Sequence, residues 1–272
     1  MSRTILLVVT VLLCVSARAQ EETYPLDHIV PNLHDKASLQ RGMRTYMNYC
    51  FGCHSLKYQR YRRTAEDLGI PPQLMLKNLV FDPNDRIGSL MENSMSIDHA
   101  KHFFGQPPPD LTLVAKLKEG GIDWIYTYLR TFYRDDSRPF GVNNLVFENV
   151  AMPDVMEELQ GTQRKVCKDI PRVADNGGLM MDPLDQKYIT EKECGRDLIE
   201  RGYSPLQLVE GSGKLTPEQY DKVVYDLCNF LYYMAEPVRL DRERIGVYVL
   251  LFLAFFYVFA WLLGREYDKE YH

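Results

Sequence analysis

Five consecutive residues, Cys50-Phe51-Gly52-Cys53-His54, form the most specific chemical motif of the chain. Two thiols separated by two residues can each add to one vinyl group of a single porphyrin, while the adjacent imidazole reaches the iron from the same side. A thiol–disulfide redox pair does not need His54. The motif therefore predicts covalent attachment of one c-type haem.

Zinc binding is another interpretation of paired cysteines. A structural zinc site needs two further ligands, and His28 and His34 are separated by a suitable five residues. Both histidines, however, precede the cysteines in a stretch broken by Pro31, which is the reverse of the usual zinc-finger order. Haem attachment is the preferred hypothesis, with zinc binding and thiol exchange as alternatives.

The first 19 residues have the pattern of a cleaved secretory signal. Arg3 supplies the positive start, residues 5–15 are apolar, and Ala17-Arg18-Ala19 supplies a small-x-small cleavage site. Without this segment the chain keeps 30 basic and 37 acidic residues, a net charge of about −7. The negative charge indicates either a basic soluble partner or only a contribution to solubility, and we expect no nucleic-acid partner.

A second apolar segment, residues 245–264, predicts one transmembrane helix. It has twenty residues without a charge, about 30 Å as a helix, with interfacial aromatics at Tyr248 and Trp261. The flanking charges slightly favour the opposite orientation, because three arginines precede the segment whereas only Arg265 and Lys269 follow it. Since the signal exports the globular part first, we expect a charged linker at 238–244 and a cytoplasmic tail at 265–272.

The region between these segments, residues 20–237, predicts an exported domain that is mainly α-helical. An apolar three-and-four spacing predicts a helix from Lys36 to Tyr49, in which Gly42 marks a close approach or is incidental. Its expected partner is a helix from Pro217 to Glu236. Further helices are predicted at 111–118 and 122–133, and the rest is loop-rich.

A six-coordinate iron needs a second axial ligand besides His54. Five other histidines and eleven methionines are present, so counting does not choose among them. Met152 has the best context, in a short segment fixed by Pro153. Met156, one helical turn further on, is its nearest competitor.

Several elements in chain order resemble the cytochrome c1 family over nearly the whole mature chain. They are CFGCH at 50–54 with its preceding helix, GQPPPDLT at 105–112, RPFGVNNLVFENVAMP at 138–153, NFLYYMAEP at 229–237 and a single C-terminal span. The resemblance implies a cytochrome c-like haem domain with long loop insertions and one C-terminal transmembrane helix.

The same resemblance implies roles for particular residues. Cys50 and Cys53 would carry the haem thioethers, His54 would be the proximal iron ligand, and Met152 the distal one. The proline pair at 108–109 would pack near the haem.

This chain departs from the family at two positions after the proline run. Relatives often have an arginine and a tyrosine where this chain has Lys118 and Trp124. The resemblance therefore supplies no arginine for the haem propionates there, and Arg130 is the alternative.

Three cysteines lie outside the signal segment and the haem motif. Export to an oxidising compartment predicts a disulfide between Cys167 and Cys194 in the insertion, and some bacterial relatives have a disulfide there. Cys228 is expected to be a buried free thiol.

By resemblance the chain is an electron-transfer subunit of ubiquinol:cytochrome c oxidoreductase and not an enzyme on its own. It would pass single electrons from a Rieske iron–sulfur protein to a cytochrome c, beside a cytochrome b subunit in a dimeric complex. The short signal favours a bacterial inner membrane, with the haem domain in the periplasm. The alternatives are an anchored c-type cytochrome of another respiratory complex, and a haem peroxidase or gas sensor with an open distal site.

Overall fold

The structure is a computed structural model that describes residues 24–174 and 177–270, so the expected signal segment lies outside the described residues. Helices dominate it. They are α1 Lys36–Tyr49, α2 Tyr61–Leu68, α3 Pro72–Leu79, α4 Ile97–Phe104, α5 Val114–Leu117, α6 Gly121–Arg130, α7 Glu157–Gln160, α8 Arg196–Glu200, α9 Pro217–Ala235 and α10 Arg239–Glu270.

Short strands connect the helices and form antiparallel pairs. They are β1 Leu56–Arg60, β2 Leu90–Met91, β3 Phe132–Arg134, β4 Val142–Asn144, β5 Gln163–Lys165, β6 Cys167–Pro171, β7 Thr190–Cys194 and β8 Leu206–Leu208. The pairs are β1–β2, β3–β4, β5–β8 and β6–β7.

The core is organised around the crossing of α1 and α9. A Cβ added at Gly42 of α1 would overlap the carbonyl oxygen of Asp226 and lie 2.7 Å from the Cβ of Phe230, so the two helix backbones are in contact there. Arg41 fixes the same crossing with two hydrogen bonds to the Asp226 carboxylate, at 2.6 and 3.0 Å. Gly42 therefore marks a close approach, which is one of the two interpretations that the sequence leaves open.

Helix α9 begins at the predicted residue, Pro217, and ends at Ala235, one residue before the predicted end at Glu236. The hydroxyl of Thr216 accepts a hydrogen bond from the backbone N–H of Gln219, and the Gln219 side chain accepts one from the Thr216 N–H. This reciprocal pair satisfies two donors at the helix start. Pro237 follows the last turn, because proline cannot continue the helical hydrogen bonding.

The segment before α1 is irregular but attached to both main helices. The side-chain amide of Asn229, inside α9, donates to the Asn32 carbonyl at 2.9 Å and to the Ser38 hydroxyl at 3.0 Å. The Asn32 N–H donates back to the Asn229 side-chain oxygen at 2.9 Å. Because Asn229 is fully buried, these bonds satisfy a polar group that would be costly to leave unpaired.

Two helices predicted between the haem motif and α9 are shorter in the structure. The helix expected at 111–118 is reduced to α5, because Asp110 accepts the Thr112 N–H at 2.9 Å and so forms a turn before the helix. The helix expected at 122–133 ends at Arg130, and the β-favouring pair Phe132 and Tyr133 joins β3 instead.

Helix α10 begins at Arg239, so residues 239–244, expected to be a linker, lie within its first turns. The ion pair from Asp241 to Arg63 and the pair from Arg242 to Glu236 connect these turns to the globular part. Its apolar part is long enough to cross a membrane, and the most apolar stretch of the helix is not buried against any other described part of the protein. The helix therefore presents an apolar surface on all sides, as a membrane anchor does.

Candidate haem site

The motif Cys50–His54 is wound into one turn at the end of α1. The backbone N–H groups of Cys53 and His54 both donate to the Cys50 carbonyl, at 3.0 and 2.9 Å. Both thiols are free, with Cys50 buried and Cys53 partly exposed. Burial raises the pKa of Cys50 to about 12 and also raises that of Cys53, so both are uncharged thiols at neutral pH. The turn thus presents two unpaired thiols and an imidazole within five residues.

The imidazole of His54 is held in one tautomer. Its Nδ1 lies 2.7 Å from the carbonyl oxygen of Pro109, which can only accept, so Nδ1 carries the hydrogen and Nε2 keeps its lone pair. Burial lowers the pKa of His54, which favours the neutral ring. A neutral imidazole with a free Nε2 and an Nδ1–H bound to a carbonyl is the form in which histidine coordinates iron.

The proline segment is fixed against the strand that follows His54. The Leu111 N–H donates to the Ser55 carbonyl at 3.0 Å, and the Asp110 carboxylate accepts the Lys57 N–H at 2.9 Å. Because the proline rings fix the backbone angle φ, the segment that carries the Pro109 carbonyl has little freedom to move. The structure thus gives Pro109 a direct contact with His54, and Pro108 precedes it in a half-buried position.

The aromatic side chain of Tyr46 supports the turn from inside the core. Its hydroxyl donates to the His54 carbonyl, and its ring lies 5.7 Å from Phe230 of α9 and 6.1 Å from Phe51 of the motif. The helix crossing and the motif therefore share one buried aromatic cluster. The position of His54 consequently depends on the packing of α1 against α9.

Met152 lies in a loop whose backbone is held at several points. Arg138 donates to both the side-chain and the main-chain oxygen of Asn149, at 3.0 and 2.9 Å, and the Asn143 side chain accepts the Asn149 N–H at 2.9 Å. Asn149 has a positive φ of 60°, a conformation that asparagine tolerates better than most residues. The loop therefore presents Met152, which is partly exposed, in a defined place.

The sulfur of Met152 has a polar neighbour. The hydroxyl of Tyr128, on α6, lies 3.4 Å from the Met152 Sδ and is its hydrogen-bond donor. Burial raises the pKa of Tyr128 above its usual value, so the hydroxyl keeps its proton. Met156 differs from Met152, since it is 1% exposed and packed in the hydrophobic core.

A carboxyl group, Asp154, lies two residues beyond Met152. Burial raises the pKa of Asp154 to about 7, although hydrogen bonds from the N–H groups of Met156 and Glu157 act in the opposite direction. The group is thus partly protonated at neutral pH. It places less negative charge beside Met152 than an ordinary aspartate would.

The two positions that depart from the family pattern contact each other. The ammonium group of Lys118 lies 4.2 Å from the Trp124 ring centroid and 5.7 Å from that of Phe147. Trp124 in turn stacks on Tyr128, with centroids 4.7 Å apart. Arg130, the alternative cation, is paired with Asp221 at 2.7 Å and Asp27 at 2.6 Å.

Two contacts of this site were missed from the sequence. The Pro109 carbonyl and the Tyr128 hydroxyl act through contacts with residues 55 and 24 positions away, respectively. A backbone carbonyl has no sequence signature, and Tyr128 is one of 18 tyrosines in the chain. No sequence signal singles out either group.

The zinc hypothesis finds no support in the described residues. His28 pairs with Asp123 at 2.7 Å. Within residues 24–174 and 177–270, no group of three or more His, Cys, Asp or Glu side chains is placed to hold a metal ion. The donor set of the Cys50–His54 turn fits a covalent haem instead.

The insertion after α7 forms an arm of strands, residues 163–209. Cys167 and Cys194 face each other in the β6–β7 register and form a disulfide, with Cα atoms 4.3 Å apart. The arm is joined to the haem domain by Gln163, whose side-chain amide donates to the carbonyls of Arg130 and Phe132, each at 2.9 Å. Cys228 is a fully buried free thiol in α9.

The fold and the site define a c-type cytochrome with one C-terminal helix suited to anchor it in a membrane. The comparison with known families is more specific. The chain belongs to the cytochrome c1 family, whose model matches residues 27–166. It is therefore a haem-carrying electron-transfer subunit of a cytochrome bc1 complex.

Of three relatives that match most of the chain, two are named cytochrome c1. Cytochrome c1 of Allochromatium vinosum is 46% identical over 89% of this chain and 87% of its own length. A protein of Nitrosomonas europaea named ammonia monooxygenase gamma subunit is 33% identical over 94% of this chain and 93% of its own length. Cytochrome c1 of Rhodobacter capsulatus is 23% identical over 86% of this chain and 83% of its own length.

Proposed function

We propose that this chain passes single electrons from a Rieske iron–sulfur protein to a cytochrome c through one covalent haem. Cys50 and Cys53 form the thioethers, His54 is the proximal iron ligand, and Met152 the distal one. The observation that carries the proposal is the bond from His54 Nδ1 to the Pro109 carbonyl, because it leaves Nε2 free to coordinate iron.

The protein's own groups in this reaction bind and orient, and no acid, base or nucleophile is required of them. A bound c-type haem supplies the one-electron chemistry. Pro109 fixes the His54 ring, while the loop around Asn149 fixes Met152. Two protein ligands on the iron leave little rearrangement between oxidation states, which suits rapid electron transfer.

The haem content and its ligands can be measured on the detergent-solubilised full chain. A pyridine haemochrome assay is expected to give one c-type haem per polypeptide, retained under denaturing electrophoresis. The reduced protein is expected not to bind carbon monoxide, because His54 and Met152 would leave no coordination position on the iron open. Rapid carbon monoxide binding would instead support the alternative of a peroxidase or gas sensor with an open distal site.

The partners of the chain follow from its anchor and its charge. The apolar surface of α10 suits contact with a cytochrome b subunit within the membrane. The net charge of −5 for the whole sequence, about −7 without the signal, steers a basic cytochrome c acceptor. The rate of cytochrome c reduction should therefore fall as ionic strength rises, and a rate independent of salt would contradict electrostatic steering.

The haem and subunit composition of the purified complex tests which partners the chain has. We expect b-type haem and a Rieske signal to copurify with the chain, in a dimeric assembly. One relative carries the name of an ammonia monooxygenase subunit, so the copurified subunits also test whether this chain assembles in the same way as cytochrome c1. Purification without b-type haem or a Rieske centre would contradict the proposed partners.

The location we propose is a bacterial inner membrane, crossed once, with the haem domain in the periplasm. Residues 1–19 are the export signal and residues 265–272 the cytoplasmic tail. Protease added to spheroplasts should digest the haem domain, whereas an epitope after His272 should be cleaved only in permeabilised cells. The opposite protection pattern would reverse the orientation.

A further inference from the structure

A tyrosine hydroxyl adjoins the sulfur of the proposed distal ligand. We propose that Tyr128 is a positioning residue that donates a hydrogen bond to Met152 and thereby raises the reduction potential of the haem. The inference rests on the proposed function, since it takes Met152 as an iron ligand. It adds a residue that neither the motifs nor the resemblance assigns.

The roles in this contact are fixed by chemistry. The thioether of Met152 has no hydrogen, so the Tyr128 hydroxyl, 3.4 Å away, must be the donor. A thioether sulfur has two lone pairs. One can bind iron while the other accepts the hydrogen bond, so the two interactions do not compete.

The ring of Tyr128 has little freedom to turn away from the sulfur. It is 8% exposed, stacks on Trp124 with the planes 13° apart, and meets the Phe132 ring edge-on at 5.0 Å. Its backbone carbonyl accepts a hydrogen bond from the Asn144 side chain at 2.8 Å. The packing around the ring therefore holds the Tyr128 hydroxyl beside the Met152 sulfur without any contribution from a haem.

The expected effect on the iron follows from the electron density of the sulfur. A hydrogen bond to the second lone pair withdraws density, which makes the thioether a weaker donor to ferric iron. Because ferric iron needs donation more than ferrous iron does, the bond stabilises the reduced form. Removing the hydroxyl should therefore lower the potential.

Tyr126 supplies a matched control on the same helix. Residues two apart on a helix do not face the same side, and the ring of Tyr126 lies 4.6 Å from the guanidinium carbon of Arg130 instead. Tyr126→Phe removes one hydroxyl from α6, as Tyr128→Phe does. It should leave the haem unchanged.

The test is redox titration and near-infrared spectroscopy of the purified full chain carrying Tyr128→Phe, Tyr126→Phe or Met152→Leu. Tyr128→Phe is expected to shift the reduction equilibrium about threefold toward ferric haem, about 28 mV at 59 mV per tenfold change. The oxidised Tyr128→Phe variant should still show the weak near-infrared band of a sulfur–iron bond, at a shifted wavelength. The Tyr126→Phe potential should equal that of the wild type.

The outcomes separate this inference from the proposed ligation. An unchanged potential and band in Tyr128→Phe, with the band lost in Met152→Leu, would overturn the role of Tyr128 and leave the ligand assignment standing. A band that survives in Met152→Leu would overturn the ligation itself. If Tyr128→Phe assembles without haem, the hydrogen bond is tested instead by NMR of the reduced wild-type protein. A nuclear Overhauser contact between the Tyr128 hydroxyl proton and the Met152 methyl supports the bond, and its absence refutes it.

Discussion

The haem-bearing core and the strand arm at 163–209 are held together by different means. In the core, Gly42 brings two helix backbones into contact, and large side chains such as Tyr46 and Phe230 are fully buried around that point. In the described part of the arm, by contrast, the buried side chains are Ile170, Leu198 and Pro205. The arm depends on a disulfide and strand pairing where the core depends on packing.

This difference predicts that the two regions fail independently. A close-packed core responds to the addition of a single methyl group, because neighbouring backbones cannot move apart cheaply. An arm with little buried surface responds to loss of its covalent link. Damage to the core should therefore remove the haem, while damage to the arm should leave it in place.

The largest effect on the haem site is expected from Gly42→Ala. The new methyl group overlaps the Asp226 carbonyl, so α1 and α9 must separate, at a cost of about 3 kcal/mol. The yield of haem-loaded protein and its thermal stability should fall sharply. Gly88→Ala is the matched control, since a Cβ there meets nothing within 4 Å. Equal stability of the two variants would contradict the close crossing.

The next effect is on the redox potential, through Met152→Leu. Leucine keeps the volume but removes the sulfur, so the fold should survive. The reduction equilibrium should shift about a hundredfold toward ferric haem, about 120 mV at 59 mV per tenfold change. Electron flow from the proposed Rieske donor should stall.

Met156→Leu is the control for the ligand assignment. Met156 is buried in the core, so its replacement should affect stability slightly and leave the potential unchanged. Potentiometry and the near-infrared band of both variants measure this. A normal potential in Met152→Leu together with a lowered one in Met156→Leu would exchange their roles.

A smaller effect on the haem is expected when Cys167 and Cys194 are both replaced by serine. The arm should lose about 3 kcal/mol of stability, because the unfolded loop is no longer closed. Limited proteolysis should then cut within 168–193, while the haem spectrum stays that of the wild type. Loss of haem in this variant would contradict the comparison between core and arm. Recovery of Cys167 and Cys194 as free thiols from fresh membranes that contain the wild-type protein would also contradict it.

The smallest effect is expected from truncation after Arg244. The ion pairs from Asp241 to Arg63 and from Arg242 to Glu236 remain in such a fragment. We expect a soluble, haem-loaded domain with the potential of the full chain. Secretion without haem, or only as aggregate, would show that the core needs the membrane helix.

Local signals in the sequence were sufficient for several elements. The spacing of apolar residues predicts α1 between its observed ends, Lys36 and Tyr49, and the capping residues predict the start of α9 at Pro217. The family resemblance predicts the haem domain, which the family match confirms, and the uncharged apolar run at 245–264 predicts the C-terminal helix, which the structure shows as a long apolar helix. Each of these rests on neighbouring residues or on a shared motif.

The features that could not be predicted depend on distant contacts. The end of α6 at Arg130 follows from pairing of β3 with β4, a choice made by tertiary structure. The carbonyl of Pro109 and the hydroxyl of Tyr128 act on residues far away in sequence. Composition and periodicity carry no information on which of these groups meet.

The junction of α9 and α10 has a mechanical consequence. Only Glu236, Pro237 and Val238 separate the two helices, and Glu236 is clamped between Lys116 and Arg242. A joint of three residues that includes a proline and two ion pairs limits the directions in which the domain can move relative to its anchor. Proteins that exchange electrons with the haem would then have to approach a domain whose distance from the bilayer varies little.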